Sequence, residues 1–244
     1  MLKQHIQHGH SKKEIACRLA KTEHSYLRDW IYGGIDGAVT TFAVVAGVEG
    51  AQLQTIVIFI LGIANLLGDG FSMAAANYLG TKAEKEEYKF CETNEHRHIK
   101  ENPLGETEEV RQMFKQKGFD GEMLEKIVTH ITSNHHLWVK TMLHEEYGLA
   151  KEIRSPWIAG LCTFLSFLLC GSVPLLPFAL HASNPFLLAA ISTGIIFFAI
   201  GSFKSLWSTQ GFWRSGFTTL FIGGIAASLA YSVGVLFTHF KSIL

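Results

Sequence analysis

The distribution of charged residues is the feature that most restricts how this chain can fold. Almost all Asp, Glu, Lys and Arg residues lie before Gly33 or between Lys82 and Arg154. The charged residues that follow Arg154 are Lys204, Arg214 and Lys241. An ionised side chain in hydrocarbon is costly, so long segments without charge predict membrane spans. The chain is therefore expected to be an all-α membrane protein.

Five apolar segments are long enough to cross a hydrocarbon core of about 30 Å. They occupy residues 30–48, 55–79, 157–180, 185–206 and 216–237. Residues 1–29 are polar and basic, which predicts an amphipathic cytoplasmic segment on the membrane surface. The predicted domains are thus this segment, spans one and two in 30–81, an insert in 82–154, and spans three to five in 155–244.

The insert is predicted to be helical. No Pro or Gly occurs from Thr81 to Lys100, so the helix of span two should continue into the insert until Asn102-Pro103 stops it. Three further helices are expected over 108–116, 121–132 and 135–151. The Pro174 and Pro177 residues should disturb span three.

The positions of Lys and Arg predict the orientation. They concentrate in the N-terminal segment, the insert and the loop between spans four and five. The positive-inside rule then places the N-terminus and the insert in the cytoplasm and the C-terminus outside or in a lumen. The expected location is the cell membrane or a vacuolar membrane. A net charge of zero gives no indication of nucleic-acid binding.

A stripe of potential metal ligands runs along the predicted helix of the insert. Glu84, Glu87, Cys91, Glu95 and His98 fall within an arc of about 80° on a helix. Lysines that would neutralise the acids lie off this arc, so a cation is one explanation and an ordinary charged surface is the other.

A second helix face in the insert offers further donors. Met142 and Glu146 are four residues apart, and His135 falls near the same face. Oxygen, nitrogen and thioether donors together suit Fe²⁺, Mn²⁺ or Zn²⁺ better than Ca²⁺. Met142 by itself would more often belong to a hydrophobic core than bind a metal.

Polar residues inside the spans form the second candidate site. Asp36 lies in span one among Gly33, Gly34 and Gly37, which would leave room for an ion. Asn65, Asp69 and Met73 line one face of span two at steps of four. Ionisable groups within spans are functional candidates, although Asp69 could instead bond a neighbouring helix.

Recognisable enzyme motifs do not occur. The chain has no P-loop and no nucleophile elbow, so we expect no enzymatic activity and, if it transports, secondary transport. No prosthetic group is expected. The histidines near His96 and His135 leave one alternative, a membrane-anchored metal buffer or di-iron oxidase with the insert as its working domain. Asp36 and Asp69 inside spans disfavour a simple anchor.

Several sequence segments resemble the vacuolar iron transporter family. They are YGGIDGAVTTFAVVAG at 32–47, SMAAANYL at 72–79, EKEEY at 84–88, GSVPLLP at 171–177 and GGIAASLAY at 223–231. The resemblance implies a homodimer of five-span subunits that exports Fe²⁺, and Mn²⁺ or other divalent metals, from the cytoplasm in exchange for protons. Its expected partners are metal ions, protons, lipid and a second copy of the chain.

The resemblance also assigns ligands. Asp36 and Met73 match the carboxylate and methionine of the family's pathway, and the insert matches its cytoplasmic metal-binding domain. The insert residues that match family ligands are Glu84, Glu87, Glu95, Met142 and Glu146. The chain departs from the family where His98 replaces a Glu, Leu143 a Met and Asn65 a Glu. Asp69, one turn from Asn65, is expected to take over its role, and imidazole at His98 favours later metals.

Overall fold

The protein is described by a computed structural model that covers residues 11–20, 25–149, 154–205 and 209–241, with the side chains of 17–20 and 239–241 left undescribed. Within these ranges it contains α-helices and no strand, with a 3₁₀ turn at Val173–Leu175. The helices are α1 (Lys12–Ala20), α2 (Leu27–Gly50), α3 (Thr55–Glu101), α4 (Pro103–Gln116), α5 (Gly121–Thr132), α6 (His135–Glu145), α7 (Pro156–Ser172), α8 (Leu176–Ala179), α9 (Pro185–Lys204) and α10 (Phe212–Lys241). The all-α prediction is confirmed.

The chain forms two compact units. The span unit comprises Ser25–Gly80 and Ser155–Leu244, and the insert unit comprises Met1–His24 and Thr81–Arg154. Five helical segments among the described residues are long and apolar enough to cross a membrane, as predicted. They are Leu27–Gly50, Thr55–Glu101, Pro156–Ala179, Pro185–Lys204 and Phe212–Thr238. The protein is therefore a multi-pass membrane protein.

Helix α2 is the most enclosed of these segments and packs against α7, α9 and α10. Its glycines make the close approach to α7 possible. A Cβ atom on Gly33 would collide with Ser166 Oγ and the Thr163 carbonyl oxygen. One on Gly37 would collide with the Phe167 backbone. Small residues four apart are a common way for two helices to pack closely in lipid.

The Asn77 side chain joins three helices of the span unit. Its Nδ2 lies 2.9 Å from Asp29 Oδ1 on α2, and 2.7 Å from Thr163 Oγ1 and 3.2 Å from the Ala159 carbonyl on α7. Asp29 is 2 % exposed and Thr163 is 1 % exposed. A polar group in such a position is stable only when it is hydrogen-bonded, so Asn77 fixes α2, α3 and α7 together.

The third span departs from a regular α-helix at its prolines, as expected. Helix α7 ends at Ser172, and Val173–Leu175 form a 3₁₀ turn before α8 begins. Pro174 and Pro177 lack the N–H that an α-helix requires, so the chain adopts a 3₁₀ turn at this point.

The core of the insert unit lies between α3, α4, α5 and α6. Val110, Val128, Val139, Met142 and Leu143 are each at most 3 % exposed and belong to one apolar cluster. Cys91 and Ile99 contribute to it from α3. Each helix therefore buries one apolar face against the others.

Two predicted helix boundaries in the insert are wrong. Helix α4 begins at Pro103, five residues before the predicted start, because Asn102 Oδ1 accepts a hydrogen bond from Gly105 N and proline is favourable in the first turn. Helix α6 ends at Glu145 instead of Lys151. Gly148 has a φ of +65°, and the chain closes there with Leu149 N bonded to the Leu143 carbonyl oxygen.

Candidate metal sites

The first candidate site lies within the span unit and centres on Asp36. This side chain is half-buried on α2, beside the glycines that face α7. Asn65 of α3 donates to Thr40 Oγ1 at 3.1 Å and to Thr41 Oγ1 at 3.3 Å. Thr40 Oγ1 in turn donates to the Asp36 carbonyl oxygen at 2.9 Å. The two predicted residues Asp36 and Asn65 are thus brought to neighbouring positions.

The other two predicted residues of span two have different surroundings. Asp69 is exposed on α3, one turn after Asn65. Met73 is half-buried and packs against the apolar core of the spans. Asn65 is therefore the residue of this face that bonds α2 near Asp36, whereas Met73 is mainly in apolar contact.

The second candidate site lies in the insert unit, along the predicted stripe of α3. Glu84 and Glu87 are exposed, Cys91 is buried, Glu95 is completely buried and His98 is half-buried. Burial raises the pKa of the Cys91 thiol, and the carboxylates of Glu87, Glu146 and Glu95 raise it further. The stripe therefore begins in solvent and runs into the interior of the insert, where Glu146 approaches it.

Glu95 has the most perturbed carboxyl group of the insert. Burial raises its pKa to about 8, and the adjacent carboxyl of Glu106 is the next largest cause. Tyr147 Oη donates to Glu95 Oε2 at 3.4 Å, and the pKa of Tyr147 rises to about 12, mainly through burial. A buried acid with this pKa exchanges its proton near neutral pH, which is suitable for a group that binds a cation.

Helix α4 supplies two acids that were not predicted. Glu106 is 6 % exposed, and its Oε1 lies 3.8 Å from His98 Nδ1. Glu109, one turn later, has its pKa raised by burial and by Glu106. Glu146 has its pKa raised by burial and then by Glu109 and Glu106. Glu95 of α3, Glu106 and Glu109 of α4, and Glu146 after α6 are thus near enough to influence one another's charge.

The predicted ligands on and near α6 do not lie together in the structure. Met142 is completely buried in the apolar core of the insert, and Glu146 lies just beyond the end of α6. His135 does not join the carboxylates but pairs with His96, Nε2 to Nδ1 at 2.8 Å. In the part of the chain that is described, no three His, Cys, Asp or Glu side chains are grouped closely enough to hold a metal ion.

The chain is similar to proteins of a known family. The VIT family model matches residues 27–235. "Vacuolar iron transporter 1" of Arabidopsis thaliana is 29% identical over 221 residues, which are 89% of this chain and 88% of that protein. "Vacuolar iron transporter" of Toxoplasma gondii is 30% identical over 227 residues, which cover 88% of this chain and 75% of that protein. The Plasmodium berghei protein of the same name is 28% identical over 226 residues, which cover 88% of this chain and 83% of that protein. The names are those of transporters and not of enzymes, in agreement with the sequence analysis.

Proposed function

We propose that this chain, which belongs to the VIT family, is a secondary transporter of divalent iron. Fe²⁺, and Mn²⁺ as a second cargo, would leave the cytoplasm in exchange for protons. The observation that carries this proposal is the half-buried carboxylate of Asp36 within a span, next to a helix that presents Asn65 and Asp69. An intramembrane carboxylate can hold either a proton or a metal ion, which is the simplest way to couple the two flows.

The donors around Asp36 suit a partly dehydrated cation. Asp36 would supply a carboxylate and Met73 a thioether, which together favour first-row transition metals over Ca²⁺. Asn65 holds the Thr40 hydroxyl and so positions the turn of α2 that carries Asp36. Asp69 would provide the second proton-binding group of the pathway.

A second copy of the chain is part of this proposal. Asp69 is exposed on α3, within predicted span two. A carboxylate that faces lipid is costly, whereas one that faces a cavity or a partner is the usual arrangement. A homodimer that covers this face of α3 would remove the Asp69 carboxylate from lipid and place two copies of the pathway residues together.

The insert would capture ions before the spans carry them. Its proposed ligands are Glu84, Glu87, Glu95, His98, Met142 and Glu146. The exposed Glu84 and Glu87 can meet a hydrated ion in solvent, and the buried Glu95 can hold it after water is lost. By the positive-inside rule the insert and the N-terminus would be cytoplasmic, which gives export its direction.

The test is metal flux in proteoliposomes with an imposed pH gradient. Asp36→Asn keeps the size of the side chain but cannot exchange a proton, and Asp36→Glu restores a carboxylate. We expect Asp36→Asn to lower Fe²⁺ and Mn²⁺ flux at least about tenfold and to abolish the coupled proton movement, because the charge that binds the ion is lost. The matched control is Glu49→Gln, which changes an exposed carboxylate at the end of the same helix.

Flux in Asp36→Asn equal to that of the parent chain would refute the mechanism. The alternative of a metal buffer is favoured by the buried acids of the insert. It predicts that the full-length chain binds Fe²⁺ but produces no flux at any pH gradient, in either the parent or the variant.

A further inference from the structure

Two buried carboxyl groups from different helices of the insert face each other. Glu95 of α3 is completely buried, and Glu106 of α4 is 6 % exposed. The two side chains are in contact range across the helix pair. Two carboxylates buried side by side repel each other, so a cation between their oxygens would stabilise the pair.

One oxygen of each carboxyl group has no hydrogen-bond partner among the described residues. These atoms are Glu95 Oε1 and Glu106 Oε2, and both are inaccessible to solvent. His98 lies within ion-pair distance, with its Nδ1 3.8 Å from Glu106 Oε1, and its side chain is half-exposed. Buried polar atoms in native proteins are normally satisfied, and an unsatisfied carboxylate oxygen is particularly costly. The two vacant oxygens therefore point to a ligand.

Further donors lie around this pair. His98 is on the same helix as Glu95, Glu109 follows Glu106 by one turn, and Glu146 approaches from the end of α6. Glu109 and Glu146 are exposed, so their side chains can turn toward the pair without disturbing the core. Carboxylates with one imidazole are a donor set for Mn²⁺ and Fe²⁺.

We propose that Glu106 is a metal ligand, and that the buried ion of the insert is held between Glu95 and Glu106 with His98 as the nitrogen donor. The site is thus built across α3 and α4, and not along the stripe of α3 alone. Glu109 and Glu146 complete the coordination from the solvent side. This inference rests on the proposed capture of metal by the insert, and it adds Glu106 to the ligands given there.

The experiment measures Mn²⁺ binding to the full-length chain in detergent by titration calorimetry at pH 7. Asp36→Asn serves as the background, so that the site in the spans does not contribute. Glu106→Gln and Glu95→Gln are compared with Glu108→Gln, which changes a carboxylate on α4 that contacts Arg111 and Gln112. We expect the first two variants to weaken Mn²⁺ binding at least about tenfold and the control to leave it within about twofold, since loss even of an outer-shell partner costs 10–100-fold.

Thermal unfolding with and without Mn²⁺ distinguishes a Glu106 that binds metal from one that only stabilises the fold. If Glu106 binds metal, Glu106→Gln removes a buried negative charge, so the thermal midpoint of the metal-free protein should rise. The increase in midpoint that Mn²⁺ produces in the parent chain should be lost. A lower metal-free midpoint with an unchanged Mn²⁺ shift would show that Glu106 is only structural.

The outcomes distinguish this inference from the proposed function. Normal Mn²⁺ affinity in Glu106→Gln together with weak binding in Glu95→Gln would overturn the role of Glu106 and leave capture by the insert intact. No Mn²⁺ binding by the Asp36→Asn chain would overturn both the site and the capture step, whereas flux by the parent chain tests transport independently.

Discussion

The contact between α2 and α7 allows a quantitative test of how the spans pack. A Cβ atom added to Gly37 would collide with the Phe167 carbonyl oxygen and lie 2.9 Å from Phe167 Cα and 3.0 Å from its carbonyl carbon. Carbon atoms prefer separations of about 3.5 Å or more, so Gly37→Ala must move the helices apart by at least about 0.6 Å. The obstacle is backbone, which cannot rotate away as a side chain can.

The expected cost follows from overpacking. Inserting a methyl group into a well-packed interior costs about 1–3 kcal/mol, and the gain in helix propensity from Gly to Ala is at most about 1 kcal/mol. We expect a net loss of about 1–2 kcal/mol and a thermal midpoint about 2–8 °C lower for a chain of this size. The assay is thermal unfolding of the purified chain in detergent at a fixed heating rate, because membrane proteins often unfold irreversibly.

The matched control is Gly68→Ala. A Cβ atom at Gly68 on α3 would meet nothing within 4 Å, so the same substitution there tests helix propensity without a clash. Its midpoint should be equal to or above that of the parent chain. Equal midpoints for Gly37→Ala and Gly68→Ala would refute the conclusion that close backbone contact holds α2 against α7. Because Asp36 is the neighbour of Gly37, metal flux should fall in Gly37→Ala as well.

Two further predictions concern buried polar groups. Asn77→Ala should lower the thermal midpoint in detergent by an amount equivalent to about 1–3 kcal/mol, because it removes the contacts to Asp29 and Thr163; an unchanged midpoint would contradict this. In chelator, the insert should become less stable as pH rises from the ordinary glutamate value of 4.5 to about 8, because folded Glu95 retains a proton that the unfolded chain releases. The slope is at most about 1.4 kcal/mol per pH unit, and Glu95→Gln should flatten it. A pH profile unchanged in Glu95→Gln would assign the slope to the groups that face Glu95, which are Glu106, Glu146, Glu109, Tyr147 and Cys91.

Features that depend on one helix at a time were predictable from the sequence. Charge segregation located the five apolar helices, and the absence of Pro and Gly from Thr81 to Lys100 predicted the uninterrupted helix that ends at Glu101. The angular spacing along α3 predicted a stripe that includes Glu95. Pro174 predicted the irregular segment after α7. Each of these follows from periodicity or from a local backbone restriction.

Features that depend on two helices were not predictable. The predicted second insert helix begins at Glu108, which leaves Glu106 outside it, whereas Asn102 caps the helix that begins at Pro103. Even with the correct boundary, spacing along α4 does not tell which carboxylate enters the interior of the insert. Only packing against α3 places Glu106 beside Glu95. The environment of Met142 was ambiguous for the same reason, because a core thioether and a metal-binding thioether have the same spacing.

The three-way junction at Asn77 has a consequence for biogenesis. Its hydrogen bond to Thr163 joins residues 86 positions apart in the chain. At about 5–20 residues per second, α3 would be synthesised roughly 4–17 s before this partner on α7 exists. During that interval the amide of Asn77 and the glycine face of α2 lack the helix that covers them in the folded protein. The nascent chain must therefore pass through a two-span intermediate that exposes a polar group and an open packing face, and this is the stage most open to pairing with the wrong helix.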